Sequence, residues 1–164
     1  MMKIIRPDWQ PSRPVQNWKE IGEQVLMMRN FIVTNKFEGN WDKAYSLSHC
    51  QVRVEGHFAF FVVHPDHVGP KKMFQYDMIV NPEIVSVEEK TKERMEEACM
   101  SFPYRTAKKM DRYYVIKVKY QVKGWFGLKI IEEETMGLTA QIFQHEIDHI
   151  RGKSIYPHLT YDGK

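Results

Sequence analysis

The sequence predicts an α+β fold, with antiparallel or mixed strands packed around a central helix, as one domain over residues 1–164. Three observations predict this class. The segment TMGLTAQIFQHEIDHIRG has apolar residues nearly all round a helix, and Gly152 is placed to end it. Several other segments are rich in β-branched and aromatic residues or alternate apolar and charged positions, as strands do. A chain of 164 residues also has the length of one ordinary domain.

The N-terminal part of the chain is predicted to form an extended arm and then a surface helix. Residues 1–15 contain PDWQPSRP, whose prolines favour an extended conformation. Asn17 and Glu20 have the spacing of the capping pair at a helix start. The polar stretch 35–43 is predicted to be a loop. Between the two, apolar residues recur at spacings of three and four, which predicts a helix with one face on the core: Trp18, Ile21, Val25, Met28 and Ile32.

The middle and later parts of the chain are predicted to supply the strands. HFAFFVV is predicted to be a buried strand, and DMIVNPEIV a strand with a kink at Pro82. The charge run over residues 88–97 is predicted to be a solvated loop or a short helix. YYVIKVKYQV and WFGLKII are separated by Lys123 and Gly124, which is typical of a hairpin with one buried face.

Composition and charge exclude several classes of function. Hydrophobic residues make up 43% of the chain and charged residues 27%, which is typical of a folded globular protein and not of a disordered one. The sequence has no run of ~18 apolar residues, and MMKIIRPDWQ lacks the apolar core of a signal peptide. We therefore expect a cytoplasmic protein without a membrane partner. The net charge of +3 gives no argument for direct binding to nucleic acid.

The pentapeptide from His145 to His149 is the motif with the clearest chemical meaning. Two histidines four residues apart project from the same face of a helix, so both imidazoles can bind one ion at about 2.0–2.1 Å. Glu146 is offset by one residue and can contact the ion's water, which suits a general base. In a central helix, such polar groups are costly to bury without a partner. The alternative is that both histidines lie in the core and are satisfied by hydrogen bonds.

A catalytic metal site of this kind needs a third protein ligand. Downstream of His149 the candidates are His158 and Asp162, and neither has a glycine-turn spacing to bring it back. Cys99 is the other candidate, although a lone cysteine is more often a small buried apolar residue. A disulfide with Cys50 is not expected in a chain without an export signal, which favours a metal or catalytic role for at least one cysteine.

These segments together resemble the peptide deformylase family, which has three short motifs in the same order. The third motif, QHExDH, is intact at residues 144–149. The second, EGCLS, is matched by EACMS at residues 97–101. The first, GxGxAAxQ, is matched only faintly by AYSLSHCQ at residues 44–51. NPEIV and the sequence on both sides of the third motif also resemble the family, and the similarity covers roughly residues 17–158.

The resemblance implies an enzyme that removes the formyl group from the N-terminal formylmethionine of new polypeptides. It implies one divalent metal ion, natively iron(II), which zinc, nickel or cobalt can replace. Gln51 would donate its side-chain amide, and Met100 its backbone N–H, to the oxyanion, and such donors are typically worth ~3–4 kcal/mol. Glu146 would activate the water and protonate the leaving amine. The implied metal ligands are Cys99, His145 and His149.

The resemblance also implies where the substrate binds. Leu138, Gln141 and Ile142 share the helical face of His145, and in the family these positions line the methionine pocket. Tyr45 and Met100 occupy two further pocket positions. Glu97 of the second motif is also expected to contribute to substrate binding. Because Tyr45 and Gln141 are larger or more polar than expected there, we expect a narrower or differently shaped pocket.

The first motif departs from the family where glycines are expected. Ala44 and Ser46 replace both glycines, so their Cβ atoms are expected to crowd or reshape the contact with the substrate backbone. Ala98 replaces the glycine of the second motif with the same consequence. Formylmethionyl peptides should remain substrates, but bulky second and third residues should be accepted less well. His49 and Cys50 are expected to pack beside the site rather than bind metal.

The expected partners are N-formylmethionyl peptides, and the chain is expected to be a monomer. Bacterial relatives often carry a further C-terminal helix implicated in ribosome contact. Fifteen residues follow His149, too few for that helix, so docking on the translating ribosome is expected to use other surfaces. Scattered basic residues on the surface need no such explanation: Lys108, Lys109, Arg112, Arg151 and Lys153.

Two other classes of function are alternatives at this point. A general metallopeptidase would share the metal, the glutamate and the activated water, but the common protease groups lack a cysteine in the EACMS context of Cys99. An inactive deformylase-like binding protein is the other alternative. The presence of every proposed chemical group argues against it: Gln51, Cys99, His145, Glu146 and His149.

Overall fold

The computed structural model of the chain describes residues 4, 10–34, 44–52, 54, 56–102 and 105–156. The predicted loop over 35–43 and most of the predicted N-terminal arm lie outside these residues. Within them, no helix is long and apolar enough to span a membrane. In chain order the elements are α1 (Gly22–Thr34), β1 (Ser46–Ser48), β2 (Phe60–Val63), β3 (Met78–Val87), β4 (Lys92–Glu97), β5 (Lys108–Tyr113), β6 (Val115–Gly124), β7 (Gly127–Met136) and α2 (Gly137–Ile150).

The strands form two antiparallel sheets. The larger sheet has the strand order β1-β2-β3-β6-β7, and β4 pairs with β5 in a second sheet. Strand β2 is buried on both faces, because Phe60 and Val62 belong to the core cluster under α1 whereas Phe61 and Val63 belong to the cluster under α2. The predicted buried strand HFAFFVV is thus confirmed.

Helix α2 lies between the larger sheet and the β4–β5 pair. On one side the ring of Phe143 packs against Phe61 and Tyr120, with ring centroids 5.7 and 5.5 Å apart. On another side the Gln144 side-chain oxygen accepts a hydrogen bond from the backbone N–H of Tyr113 on β5 at 3.0 Å. Gly152 follows the helix with a φ of 74°, a value that suits glycine. The predicted central helix and α+β class are confirmed.

Helix α1 covers the other face of the larger sheet. A short 3₁₀ turn, Trp18–Glu20, precedes it, and the Asn17 side chain accepts a hydrogen bond from the backbone N–H of Lys19 at 3.0 Å. The predicted cap is therefore present. Of the residues that the apolar spacing predicted on this side, Ile21, Val25, Met28 and Ile32 are buried, and Trp18 in the preceding turn is partly buried against the same cluster.

The predicted hairpin and the predicted kink are also confirmed. Strands β6 and β7 pair in register from Val115 opposite Met136 to Gly124 opposite Gly127. In β3 the pairing with β6 shifts register next to Pro82, and the preceding residue, Asn81, has a φ of 48°. This bulge is expected where proline cannot donate a ladder hydrogen bond.

The prediction for the charge run was wrong, because residues 92–97 form strand β4. A 3₁₀ turn, Glu89–Thr91, precedes the strand. Four cross-strand pairs with β5 join opposite charges: Glu93 with Arg112, Arg94 with Asp111, Glu96 with Lys109, and Glu97 with Lys108. Opposite charges across a ladder stabilise an antiparallel pair, so a sequence without apolar alternation still forms a strand here.

Candidate metal centre and active site

Two histidines of α2 and the cysteine that follows β4 meet at one point. The Nε2 atoms of His145 and His149, one helical turn apart, are separated by 3.0 Å. The Sγ atom of Cys99 lies 3.3 Å from Nε2 of His149. All three ligand atoms lie within 4.8 Å of one another, and Cys99 and His149 are buried. The fold therefore brings together the three residues that the sequence analysis proposed as one ligand set.

The second nitrogen of each histidine has a partner that orients the ring. His149 Nδ1 lies 3.2 Å from the carbonyl oxygen of Lys153, and because a carbonyl only accepts, Nδ1 carries the proton. His145 Nδ1 lies 3.0 Å from a carboxylate oxygen of Glu97. In this arrangement the Nδ1 atom of each ring is engaged and the two Nε2 atoms face each other, which is the orientation that metal-ligating histidines adopt. A thiolate with two imidazoles fits a divalent transition metal.

The electrostatics of this cluster favour the thiolate form of Cys99. Burial alone would raise the pKa of the Cys99 thiol, but the charge of His149 and hydrogen bonds with both histidines lower that pKa to about 5. Burial disfavours the charged form of His145, yet hydrogen bonds with Cys99 and Glu97 raise its pKa well above the ordinary value. The thiolate is the form that binds metals, so the cluster fits a cation.

A buried ion-pair network lies behind His145. Arg112 on β5 donates to the two carboxylate oxygens of Glu97 at 2.6 and 2.9 Å, and to Asp148 on α2 at 2.6 Å. Burial would raise the pKa of Glu97, but hydrogen bonds from Arg112 and His145 lower it to about 2. Glu97 therefore stays ionised and can accept a hydrogen bond from Nδ1–H of His145, which orients the ring toward Cys99 and His149.

Arg112 is a residue of this site that the sequence analysis missed. Its assignment to the scattered basic residues of the surface was wrong, because Arg112 is 7% exposed. A buried charge of this kind needs partners, and Glu97 and Asp148 supply them from other elements. The signal in the sequence was the alternation of β5, which turns Lys108, Met110 and Arg112 to the less exposed side.

Glu146 lies beside the ligands and faces strand β1. It is buried, and the two oxygens of its carboxylate accept hydrogen bonds from two serine hydroxyls. Ser46 Oγ is 2.6 Å from Oε1, and Ser48 Oγ donates to Oε2. The hydroxyl of Ser46 and the side chain of Ser48 were not predicted to contact Glu146. The positions of both serines on one face of β1 were the available signal.

Gln51 and Met100 stand on the same side of the ligand cluster. Gln51 belongs to a 3₁₀ turn after β1, and its side-chain oxygen accepts a hydrogen bond from the backbone N–H of Ser48 at 2.9 Å. Its side-chain nitrogen lies 3.5 Å from Cys99 Sγ and 3.2 Å from the Ser101 hydroxyl. Met100 follows Cys99 directly in the chain. The two proposed oxyanion donors therefore both lie next to Cys99, Gln51 in space and Met100 in the chain.

A cavity of about 290 Å³ opens beside the ligands. Gln141 points its side-chain nitrogen at the carbonyl oxygen of Glu96, at 2.8 Å, so this polar group is already paired. Tyr45 is half exposed and stacks on His67, with ring centroids 4.6 Å apart. All residues proposed for substrate binding line the cavity, together with Met100, Gln51, His145 and Glu146: Ala44, Tyr45, Ser46, Glu97, Leu138, Gln141 and Ile142.

His49 and Cys50 lie beside the site and outside the group of possible metal ligands found among the described residues. His49 accepts a hydrogen bond from the backbone N–H of Phe58 at 3.2 Å and packs against Phe58 and Phe60. Its burial lowers the pKa of His49 to about 4. Both residues are buried, as expected for packing residues.

The site has a buried cysteine and two histidines that can hold one ion, and a carboxylate and a cavity lie beside them. This arrangement is typical of metal-dependent hydrolases. Comparison with known proteins gives the family. The family model described as polypeptide deformylase matches residues 9–164. A peptide deformylase of Thermotoga sp. (strain RQ2) is 40% identical over 147 residues, which cover 85% of this chain and 84% of that protein.

Further relatives and solved structures agree. The peptide deformylase of Brachyspira hyodysenteriae is 38% identical over 157 residues, covering 95% of this chain and 79% of that protein. The crystal structure of peptide deformylase from Thermotoga maritima has a TM-score of 0.71 and 28% identity, covering 94% of this chain and 95% of that one. A peptide deformylase structure from Legionella pneumophila has a TM-score of 0.72 and 27% identity, covering 96% and 85%.

The chain belongs to the peptide deformylase family. It is an enzyme of the deformylase kind, and neither the metallopeptidase nor the inactive binding protein is favoured. The family is metal-dependent, which agrees with the cluster of Cys99, His145 and His149.

Proposed function

We propose that the chain removes the N-formyl group from the formylmethionine of new polypeptides at the centre formed by Cys99, His145 and His149. The observation that supports this most strongly is the convergence of these ligand atoms beside a cavity. Glu146 and Gln51 line the same cavity, so the groups needed for hydrolysis of a small amide share one site.

We propose iron(II) as the native ion, with zinc, nickel or cobalt able to replace it. When bound, a divalent ion supplies Lewis acidity toward a water molecule and toward the formyl oxygen. Thiolate and imidazole ligands favour a transition metal over magnesium or calcium. Elemental analysis of anaerobically purified protein tests this, and we expect about one divalent transition-metal ion per chain.

In the proposed reaction, water adds to the formyl carbon, the C–N bond breaks, and formate and a free amine leave. Glu146 takes the proton from the attacking water and returns it to the amine nitrogen. The Gln51 side-chain amide and the Met100 backbone N–H donate to the oxygen that becomes negatively charged. The 2.9 Å hydrogen bond from Ser48 to the Gln51 side-chain oxygen supports this role, because it leaves the amide nitrogen on the side of Cys99.

The same cavity is proposed to bind the methionine side chain and the start of the peptide. Leu138, Ile142 and Met100 give it apolar lining, which suits an unbranched thioether side chain. Ala44 and Ser46 lie along β1, where the peptide backbone is proposed to pass. We also propose that the chain acts as a cytoplasmic monomer.

The direct test is formate release from formyl-Met-Ala-Ser by metal-loaded protein. We expect formate from the formylated peptide and no cleavage of the unformylated peptide Met-Ala-Ser. Cleavage of a peptide bond in the unformylated control would instead support a metallopeptidase. Absence of formate from protein that has its full content of iron(II), cobalt or nickel would overturn the proposed function.

A further inference from the structure

The carboxylate of Glu146 is held at both oxygens by the same strand. Ser46 and Ser48 are two residues apart on β1, so their side chains lie on the same face of the strand, toward α2. Ser46 Oγ donates to Oε1 at 2.6 Å, and Ser48 Oγ donates to Oε2. All three side chains are buried, with Ser48 and Glu146 0% and 3% exposed.

The direction of these hydrogen bonds follows from their chemistry. An ionised carboxylate only accepts hydrogen bonds, so each hydroxyl must donate. The last torsion of a glutamate side chain is otherwise broad, and two donors from one strand restrict it to a single orientation. Each carboxylate oxygen keeps a further lone pair, because it has two and one hydroxyl occupies one. The carboxylate is thus fixed and still open to a water or an amine.

Ser48 also connects Glu146 to the proposed oxyanion donor. Its side chain donates to Glu146, while its backbone N–H donates to the side-chain oxygen of Gln51 at 2.9 Å. The GxGxAAxQ pattern has glycine where this chain has Ser46 and alanine where it has Ser48. The two hydroxyls are therefore a feature of this chain's departure from the pattern.

We propose that Ser46 and Ser48 are positioning residues, whose hydroxyls hold the carboxylate of Glu146 in the orientation that proton transfer requires. This inference rests on the proposed function, in which Glu146 moves the proton between water and the leaving amine. Because the two hydroxyls contact Glu146, they affect the rate of the chemical step, whereas the Cβ atom of Ser46 lines the cavity proposed for the peptide. Loss of the hydroxyls should therefore lower kcat and leave KM little changed.

The test compares Ser46→Ala, Ser48→Ala and the double variant with the wild-type chain, all loaded with cobalt. We expect kcat to fall about 3–10-fold in each single variant and ~10–100-fold in the double variant, because misplacement of a catalytic group costs up to about a hundredfold. KM should stay within about twofold. Ser86→Ala, at an exposed position of β3, is the matched control and should leave both constants unchanged.

Ser46→Thr keeps the hydroxyl at a position that lines the cavity, and it should restore kcat to near the wild-type value. Two readouts do not depend on activity. The visible spectrum of the cobalt-loaded double variant should match wild type, and its crystal structure should show the Glu146 carboxylate in more than one orientation.

Three results would overturn the inference. The first is an unchanged or raised kcat in the double variant, and the second is an equal loss of kcat in Ser46→Thr and Ser46→Ala. The third is a single orientation of the Glu146 carboxylate in the double variant, the same as in the wild type. If the double variant does not fold, the contrast between Ser46→Ala and Ser46→Thr decides. A wild-type chain that releases no formate would overturn this inference together with the proposed function. An active wild type whose serine variants have an unchanged kcat would overturn the positioning role alone.

Discussion

The cavity has two sides that hold their polar groups in different ways. The helix side consists of Leu138, Gln141, Ile142, His145 and Glu146, and the strand side consists of Ala44, Tyr45, Ser46 and Gln51. On the helix side, His145 lies 3.0 Å from Glu97, and the Glu97 carboxylate is bound in turn by buried Arg112. On the strand side, Ser46 uses a neutral hydroxyl, and half-exposed Tyr45 stacks on His67.

This difference indicates which functions each side controls. Buried charges are costly when a partner is lost, so substitution of His145 or of the Glu97–Arg112 pair behind it should weaken ion binding or destabilise the fold. Neutral hydroxyls and small side chains have weaker individual effects, so the strand side should alter rate, pH response or substrate preference.

Removal of a ligand on the helix side should have the largest effect. We expect His149→Ala to lose most of its metal and to release no measurable formate, because the change leaves two of the three residues that can hold an ion. Elemental analysis and formate release measure the two effects, and His64→Ala, on the loop after β2, is the control. If the ion stays bound in His149→Ala and also in Cys99→Ser, the ligand set is wrong.

Loss of the support behind His145 should come next. We expect Arg112→Met to destabilise the protein by roughly 3 kcal/mol, because it leaves Glu97 and Asp148 without their buried counter-charge. Metal affinity should fall roughly 10–100-fold, since Glu97 then orients His145 less well. Denaturant unfolding and metal titration measure these effects. Lys109→Met, exposed on the same strand, is the matched control, and an equal loss of stability in both variants would contradict the assignment.

His49, in the turn after β1, should make the stability of the protein depend on pH. The pKa of this buried histidine falls from its ordinary 6.5 to about 4, because burial disfavours its charged form. The unfolded chain therefore binds the proton first as the pH falls, and stability is complete above about pH 6.5 and declines toward pH 4. The full effect is on the order of 2–3 kcal/mol.

The test for His49 is the slope of unfolding free energy between pH 7 and pH 4. We expect a shallower slope in His49→Asn, whose side-chain oxygen can still accept the hydrogen bond from the Phe58 N–H. The comparison uses slopes rather than absolute values, since asparagine fills less space. Parallel slopes for wild type and variant would show that another group controls acid sensitivity.

The smallest expected effect concerns substrate preference. The Ala44→Gly/Ser46→Gly variant removes the side-chain atoms along β1. The kcat/KM for formyl-Met-X-Ser peptides with a bulky X should therefore rise relative to that for X = Ala. The readout is the ratio of kcat/KM for X = Trp and X = Ala, which is insensitive to a uniform loss of rate. Ser46→Ala is the control that removes the hydroxyl and keeps Cβ. An unchanged ratio in the double glycine variant would show that these positions do not crowd the substrate.

The two sides also differ in how far the sequence could predict them. The ligands on α2 followed from the spacing of His145 and His149, because a helix fixes the relation between residues four apart. Strand β4 was missed because its charge pairs come from β5 and cannot be seen within the segment itself. The bond from Ser48 to Glu146 joins residues 98 positions apart, so no local pattern contains it. For Arg112 the alternation of β5 was visible, but the two carboxylates that make its burial possible, Glu97 and Asp148, lie on other elements.

The most direct test of the central claim measures metal content and formate release in the same samples of wild type and Glu146→Ala. Glu146 is one residue from a ligand and outside the group of three that can bind the ion. The account predicts that Glu146→Ala keeps the ion of the wild type and loses formate release by ~100-fold or more. Loss of the ion together with activity would make Glu146 a ligand and contradict the account, as would full activity in the variant.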